Sequence, residues 1–193
     1  MLKGKIIIIS GPSGSGKTTL YKKLTASKRL KNRLARSISV TTRPKRTGEK
    51  QGRDYLFVSP KQFMYKRRCG HFLESEKVFG NYYGTLNKNV RDLLKAGKNV
   101  LLSIDVKGAK TVRRKYPGAV TVFIKTPSLE VLESRLKKRG SEGRHVLRLR
   151  LETARKELKE AGHYRHVVIN DSLGSAYKRL ESIVLQELSA DRF

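Results

Sequence analysis

The octapeptide Gly11-Pro12-Ser13-Gly14-Ser15-Gly16-Lys17-Thr18 fits the pattern G-x-x-x-x-G-K-[ST] without a mismatch. It constrains the fold because it works only between a buried strand and a helix. Both contexts are present: the apolar run Lys5 to Ser10 precedes it, and a helical pattern begins near Gly16. The glycines let backbone N–H groups turn inward around phosphate oxygens, and the helix N-terminus adds partial positive charge. Lys17 is placed to reach the β- and γ-phosphates, the Thr18 hydroxyl to ligate Mg²⁺, and Thr19 belongs to the same triphosphate-binding set. The loop alone specifies binding of a nucleoside triphosphate, a property shared by GTPases, ATPases and small-molecule kinases.

Short apolar runs alternate with longer helical patterns along the rest of the chain. Val100 to Asp105, Val120 to Lys125 and His166 to Asn170 read as further buried strands. Helices are expected from near Lys107, Ser128 and Ser172, the two serines serving as caps. This βαβ rhythm predicts an α/β fold, a parallel sheet flanked by helices. At 193 residues one domain is expected, its core formed by residues 1–36 and 86–193. Residues 37–85 break the rhythm: strands at Arg53 to Val58 and Phe72 to Phe79, separated by Pro60 and a brief helix, read as an inserted, mostly β lobe. Arg139 to Arg150, charged and containing Gly140 and Gly143, suits a mobile lid within about residues 135–156.

Forty-four Lys and Arg against 16 Asp and Glu give a net charge of +28, which predicts attraction to polyanions. The single cysteine, Cys69, makes no internal disulfide and asks for no oxidising compartment, and the four isoleucines from Ile6 are too few for a signal-peptide core or a membrane span. A cytoplasmic location follows as the expectation. His71, His145, His163 and His166 show no metal-ligand spacing.

A second set of motifs lies in the inserted lobe. Ser39-Val-Thr-Thr-Arg-Pro-Lys-Arg46 is followed by Gly48-Glu49, then Gly52-Arg-Asp-Tyr55, Phe72-Leu-Glu74 and Gly80-Asn-Tyr-Tyr-Gly-Thr85. Beyond the lobe come Ile104-Asp-Val-Lys-Gly108, Arg135-Leu-Lys-Lys-Arg-Gly140 and Val168-Ile-Asn-Asp171. In this order and over essentially the whole chain, the sequence resembles the guanylate kinases. The side-chain chemistry agrees with what the resemblance implies. Arg43 and Arg46 offer forked donors to a phosphate dianion, and Tyr55 and Tyr83 supply phenolic hydroxyls. Glu74 can accept from the N1–H and N2 amino donors that guanine presents and adenine does not, while Ser39 and Thr85 serve the O6 side. Tyr82 reads as structural.

The resemblance implies transfer of the γ-phosphoryl group of ATP to GMP, and to dGMP, assisted by Mg²⁺. It adds Glu49 and Asp105 to the GMP side and Asn170 to the adenine side, and it gives Arg135, Arg139 and Arg150 to a lid over the transferring group. Two departures stand out: Ser103 replaces the acidic residue usual two positions before Asp105, and Ser75 replaces the Trp usual after Glu74. The first is expected to lower turnover or metal affinity without abolishing either, and the second to loosen the packing behind Glu74. Two other functions compete with an active enzyme: a guanylate-kinase-like binding domain, which Lys17, Thr18 and the lid arginines disfavour, and a nucleic-acid binder, for which the charge speaks but no recognised motif does. A monomer and a homodimer are both compatible with the sequence.

Overall fold

The structure is a computed structural model and describes residues 4–138 and 144–190. In chain order the elements are β1 (Ile6–Ser10), α1 (Lys17–Thr25), β2 (Leu34–Arg36), β3 (Val40–Thr41), β4 (Leu56–Phe57), α2 (Pro60–Arg68), β5 (Phe72–Val78) and β6 (Asn81–Leu86). There follow α3 (Asn87–Lys95), β7 (Asn99–Ser103), α4 (Val106–Lys115), β8 (Val120–Lys125), α5 (Leu129–Lys138), α6 (Arg144–Leu158), β9 (His166–Ile169) and α7 (Leu173–Ser189). The chain divides into two units, one of residues 1–6, 33–102 and 107–119, the other of residues 7–32, 103–106 and 120–193.

In the second unit β1, β8 and β9 pair in parallel, Ile7 opposite Val120 and Val122 opposite His166. β1 is buried along its whole length and β8 along all but Lys125. Runs of β-branched residues buried on both faces are what a parallel strand between helix layers requires. α7 is capped by Ser172, whose side chain accepts from the Ser175 N–H, so the cap expected from sequence is there. α5 carries Leu132 and Leu136 onto α6, where Leu147, Leu151 and Ala154 recur on one face.

That apolar stripe shortens the stretch expected between the two helices. Arg144 to Arg150 belong to α6 rather than to a connecting segment, because Leu147, with Leu151 and Ala154 after it, needs helical spacing to reach α5. Arg139 to Gly143, including the lid residue Arg139, lie outside the described residues.

In the first unit β2 and β7 pair in parallel, Leu34 opposite Asn99. The lobe is a four-stranded sheet in the order β4-β3-β6-β5, with β6 antiparallel to both neighbours and β4 parallel to β3. α2 starts on a capping box, Ser59 with Gln62, and has Pro60 in its first turn. Its fully buried Phe63 stacks on Phe72 at 4.5 Å and on Tyr82 at 5.3 Å. Tyr82 therefore holds α2 to the sheet, a structural role.

The strand expected over Arg53 to Val58 shrinks to Leu56 and Phe57. Upstream, the Asp54 N–H donates to the Lys50 carbonyl at 3.0 Å and the Asp54 carboxylate accepts the Lys50 N–H, with Gly52 at φ 72°. These local bonds close a turn where a strand ladder needs the same groups. β2, β3, β6 and α3 have no counterpart among the elements expected from sequence.

Candidate functional site

The Gly11 to Thr18 loop lies in the second unit between β1 and α1. Gly11, Gly14 and Gly16 sit at φ 140°, 88° and 93°, where a side chain is strained. A Cβ on Gly11 would collide with the Ile124 carbonyl of β8, and one on Gly16 with the Asn170 amide. The Lys17 ammonium donates to the Gly11 and Pro12 carbonyls, the latter at 2.9 Å. Thr18 and Thr19 are exposed. No side chain caps α1, and no acidic residue stands in its first turn, so its leading N–H groups face outward without a carboxylate competitor. The buried Ser15 hydroxyl has no hydrogen-bond partner among the described residues.

Asn170 sits just beyond β9 and is 4% exposed. Its amide nitrogen donates to the Ser15 carbonyl at 2.7 Å, and its own carbonyl accepts from Arg135 at 2.9 Å. It therefore braces the loop from beneath while fixing Arg135. Arg150 is half-buried on α6, and Asp105 and Ser103 are half-buried at the end of β7 and beyond it. Among the described residues no group of three His, Cys, Asp or Glu side chains could hold a metal ion. A cation here would thus depend on Thr18, phosphate oxygens and water, the coordination that Mg²⁺ tolerates beside a nucleotide. The donor set fits that ion.

The residues expected on the GMP side gather in the first unit, except Asp105, which belongs to the second. Arg43 donates through one terminal nitrogen to both oxygens of Glu49, at 2.8 and 2.9 Å, and through the other to the Pro44 carbonyl at 2.7 Å. The same carboxylate accepts the Arg46 backbone N–H at 2.9 Å. Burial raises the Glu49 carboxyl, but the hydrogen bonds from Arg43 and Arg46 outweigh it and hold the group below the ordinary carboxylate range. The Arg43 guanidinium lies 5.5 Å over the Tyr55 ring, which meets the Tyr83 ring edge-on at 6.1 Å. Burial pushes the Tyr55 phenol above its ordinary value, so it stays protonated and able to donate. Arg46 is exposed.

Glu74 and Thr85 stand opposite each other on β5 and β6, and both are buried. The Thr85 hydroxyl donates to Glu74 Oε1 at 2.5 Å. Tyr83 and Thr85 are two apart on β6 and so share a face. Continuing the β3–β6 register beyond Val40 opposite Gly84 brings Ser39 beside Thr85. Guanidinium, two phenols and a buried carboxylate with its hydroxyl partner thus line one side of the lobe.

The chain is similar to known proteins over nearly its whole length. The guanylate kinase family model matches residues 3–187. The guanylate kinase of Neisseria gonorrhoeae is 47% identical over 182 residues, 94% of this chain and 87% of its own, and that of Clostridium tetani 42% identical over 187 residues, 97% and 88%. The chain belongs to the guanylate kinase family. Among solved structures, the guanylate kinase of Anaplasma phagocytophilum superposes with a TM-score of 0.78 at 32% identity, covering 97% of this chain and 88% of that one.

For a guanylate kinase family member, one residue beside Glu74 has a part that the sequence alone does not reveal. A Cβ on Gly108, in the first turns of α4, would stand 2.6 Å from Glu74 Oε2. The missing side chain is what lets the buried carboxylate reach its position. The signal was present as the glycine of Ile104-Asp-Val-Lys-Gly108, but only the fold shows what it faces.

Proposed function

We propose that the chain is an ATP:GMP phosphotransferase that also accepts dGMP. The observation that carries this reading is the pairing, within one lobe, of a buried Glu74–Thr85 acceptor set with the Glu49-held Arg43 beside Tyr55 and Tyr83. The first suits the donor edge of guanine, the second a phosphate dianion. Membership in the guanylate kinase family supports the same reaction.

In this reading Gly11 to Thr19 hold the triphosphate of ATP, with Lys17 on its β- and γ-phosphates and Thr18 toward Mg²⁺. Mg²⁺ supplies charge neutralisation on the phosphate oxygens. Arg43, Arg46, Glu49, Tyr55 and Tyr83 hold the phosphate of GMP, with Asp105 also on the acceptor side. Ser39, Glu74 and Thr85 read the base. Arg135, Arg139 and Arg150 shield the transferring group, which excludes water as a rival acceptor. The attacking phosphate oxygen is already anionic, so positioning and charge stabilisation carry the rate and no general base is needed. Asn170 keeps the loop in shape and borders the adenine side. Ser103 is proposed to leave turnover or Mg²⁺ affinity below that reached with a carboxylate there; Ser103→Asp raises one or the other if so.

The 193 residues are proposed to act as one catalytic domain, with a GMP lobe near residues 37–85, in the cytoplasm, as a monomer or homodimer. No helix among the described residues is long and apolar enough to cross a membrane. The deciding experiment is phosphoryl transfer from ATP to GMP, AMP, UMP and CMP in a coupled ADP-release assay. GMP is expected to dominate; AMP turnover exceeding GMP turnover overturns the reading.

A further inference from the structure

The charge excess is uneven. The first unit carries 23 Lys and Arg against 5 Asp and Glu, a net +18, and the second 21 against 11, a net +10. The phosphate clamp uses only Arg43 and Arg46 of that surplus.

Part of the remainder forms a track over two adjoining helices of the first unit. Phe63 faces the sheet from α2 with no exposure. At 100° per residue, Lys61, Tyr65 and Arg68 fall on the opposite face, and all three are exposed, Tyr65 by 60%. On α3 the buried Val90 and Leu94 turn Lys88, Arg91 and Lys95 outward, and these too are exposed. The two helices adjoin end to end: just past α2, the His71 carbonyl accepts the Asn87 N–H that opens α3, at 2.9 Å. Each helix has nine residues, so the track runs about 13 Å along each. The carboxylate on it, Asp92, is taken by Lys88 at 2.7 Å. Lys61, Arg68, Arg91 and Lys95 make no salt bridge among the described residues.

We infer that this α2–α3 face binds single-stranded nucleic acid, with Lys61, Arg68, Arg91 and Lys95 on successive phosphates and Tyr65 as a platform for one base. A row of unpaired cations around an exposed aromatic ring is the combination that single-strand binders use, phosphate attraction joined to sequence-tolerant stacking. A membrane surface fits less well. Among the described residues Tyr65 is the one large apolar side chain exposed in the first unit, the others being Leu149, Ile169 and Leu173 of the second, so no apolar cluster is described there to insert. The proposal is independent of the kinase reading, since none of these residues was placed in the catalytic or GMP-binding set.

Single-strand sites span roughly 4–16 nucleotides, so a labelled oligouridylate of about 12 nucleotides is a suitable probe for fluorescence anisotropy with the full chain over a salt series. Four phosphate contacts predict a slope of log K against log salt near about −3, reduced by about 1.4 in Lys61→Glu/Arg68→Glu. Tyr65→Ala is expected to weaken oligouridylate binding about tenfold while leaving heparin binding unchanged, because heparin has charge but no base to stack. GMP phosphorylation stays at its starting rate in both variants and certifies the fold. The control Lys178→Glu/Arg179→Glu reverses the same charge on exposed positions of α7 and is expected to leave oligouridylate binding unchanged. Equal losses in the α7 and α2 variants overturn the site in favour of diffuse attraction. So does a Tyr65→Ala variant that binds oligouridylate as the parent does, or a parent that does not bind it at all.

Discussion

In its proposed role Arg43 helps a phosphate only if its guanidinium is already aimed, and Glu49 holds it while also taking the Arg46 N–H. Glu49→Gln removes charge-assisted bonds worth about 1.5–3 kcal/mol. The expected result is a KM for GMP raised at least about tenfold with the KM for ATP unchanged, read by steady-state kinetics. Because the folded Glu49 carboxyl sits below its ordinary range, its stabilising contribution is complete above that range and is lost as pH falls through the lowered value. The stability gap between parent and Glu49→Gln should therefore close on acidification, as urea melts at several pH values would show. Gly108 poses a different case. The atom its Cβ would meet is the far end of the Glu74 side chain, so Gly108→Ala can fold by moving the carboxylate aside. The expected outcome is a near-parental melting temperature with kcat/KM for GMP down about 10²-fold, the scale of a 1 Å misplacement.

At the scale of elements, the β5–β6 hairpin shows where sequence patterns stopped being informative. Val78 pairs with Asn81, leaving Phe79 and Gly80 as a two-residue turn with φ 45° and 83°, the signs that a type I′ turn demands. Gly80→Ala places a Cβ in the left-handed region and should cost about 1 kcal/mol, lowering the melting temperature by about 2–4 °C in calorimetry. The turn lacks the Asn-Gly or Asp-Gly pair that announces such hairpins, so β6 was invisible in sequence. α3 was missed for a related reason: Leu86 precedes it and makes no side-chain cap, so nothing local marks its start. α6 was half hidden by its arginines, and its stripe of Leu147, Leu151 and Ala154 has meaning only against α5. In contrast, β1 and β8 were legible because continuous β-branched runs have few other uses, and α7 because Ser172 caps it.

Over the whole molecule, the motif-bearing residues were readable because each is short-range in sequence, while what supports them is not. Glu74 and Thr85 can be named from sequence, but Gly108 as their spacer cannot, and the resemblance that puts Asn170 on the adenine side says nothing of the bond from its amide to the Ser15 carbonyl. That last bond spans 155 positions of the chain. Gly11 likewise nestles against Ile124 of β8. A ribosome therefore releases the loop sequence early but the parts that hold its shape late. Nascent chains arrested before Asn170 emerges should fail to retain ATP on an affinity resin, whereas chains extended past α7 should bind it; equal retention by both would show that the loop shapes itself. In the proposed function, triphosphate binding is then acquired only once Asn170 has emerged, and the cell's ATP pool stabilises chains that extend past it in preference to shorter ones.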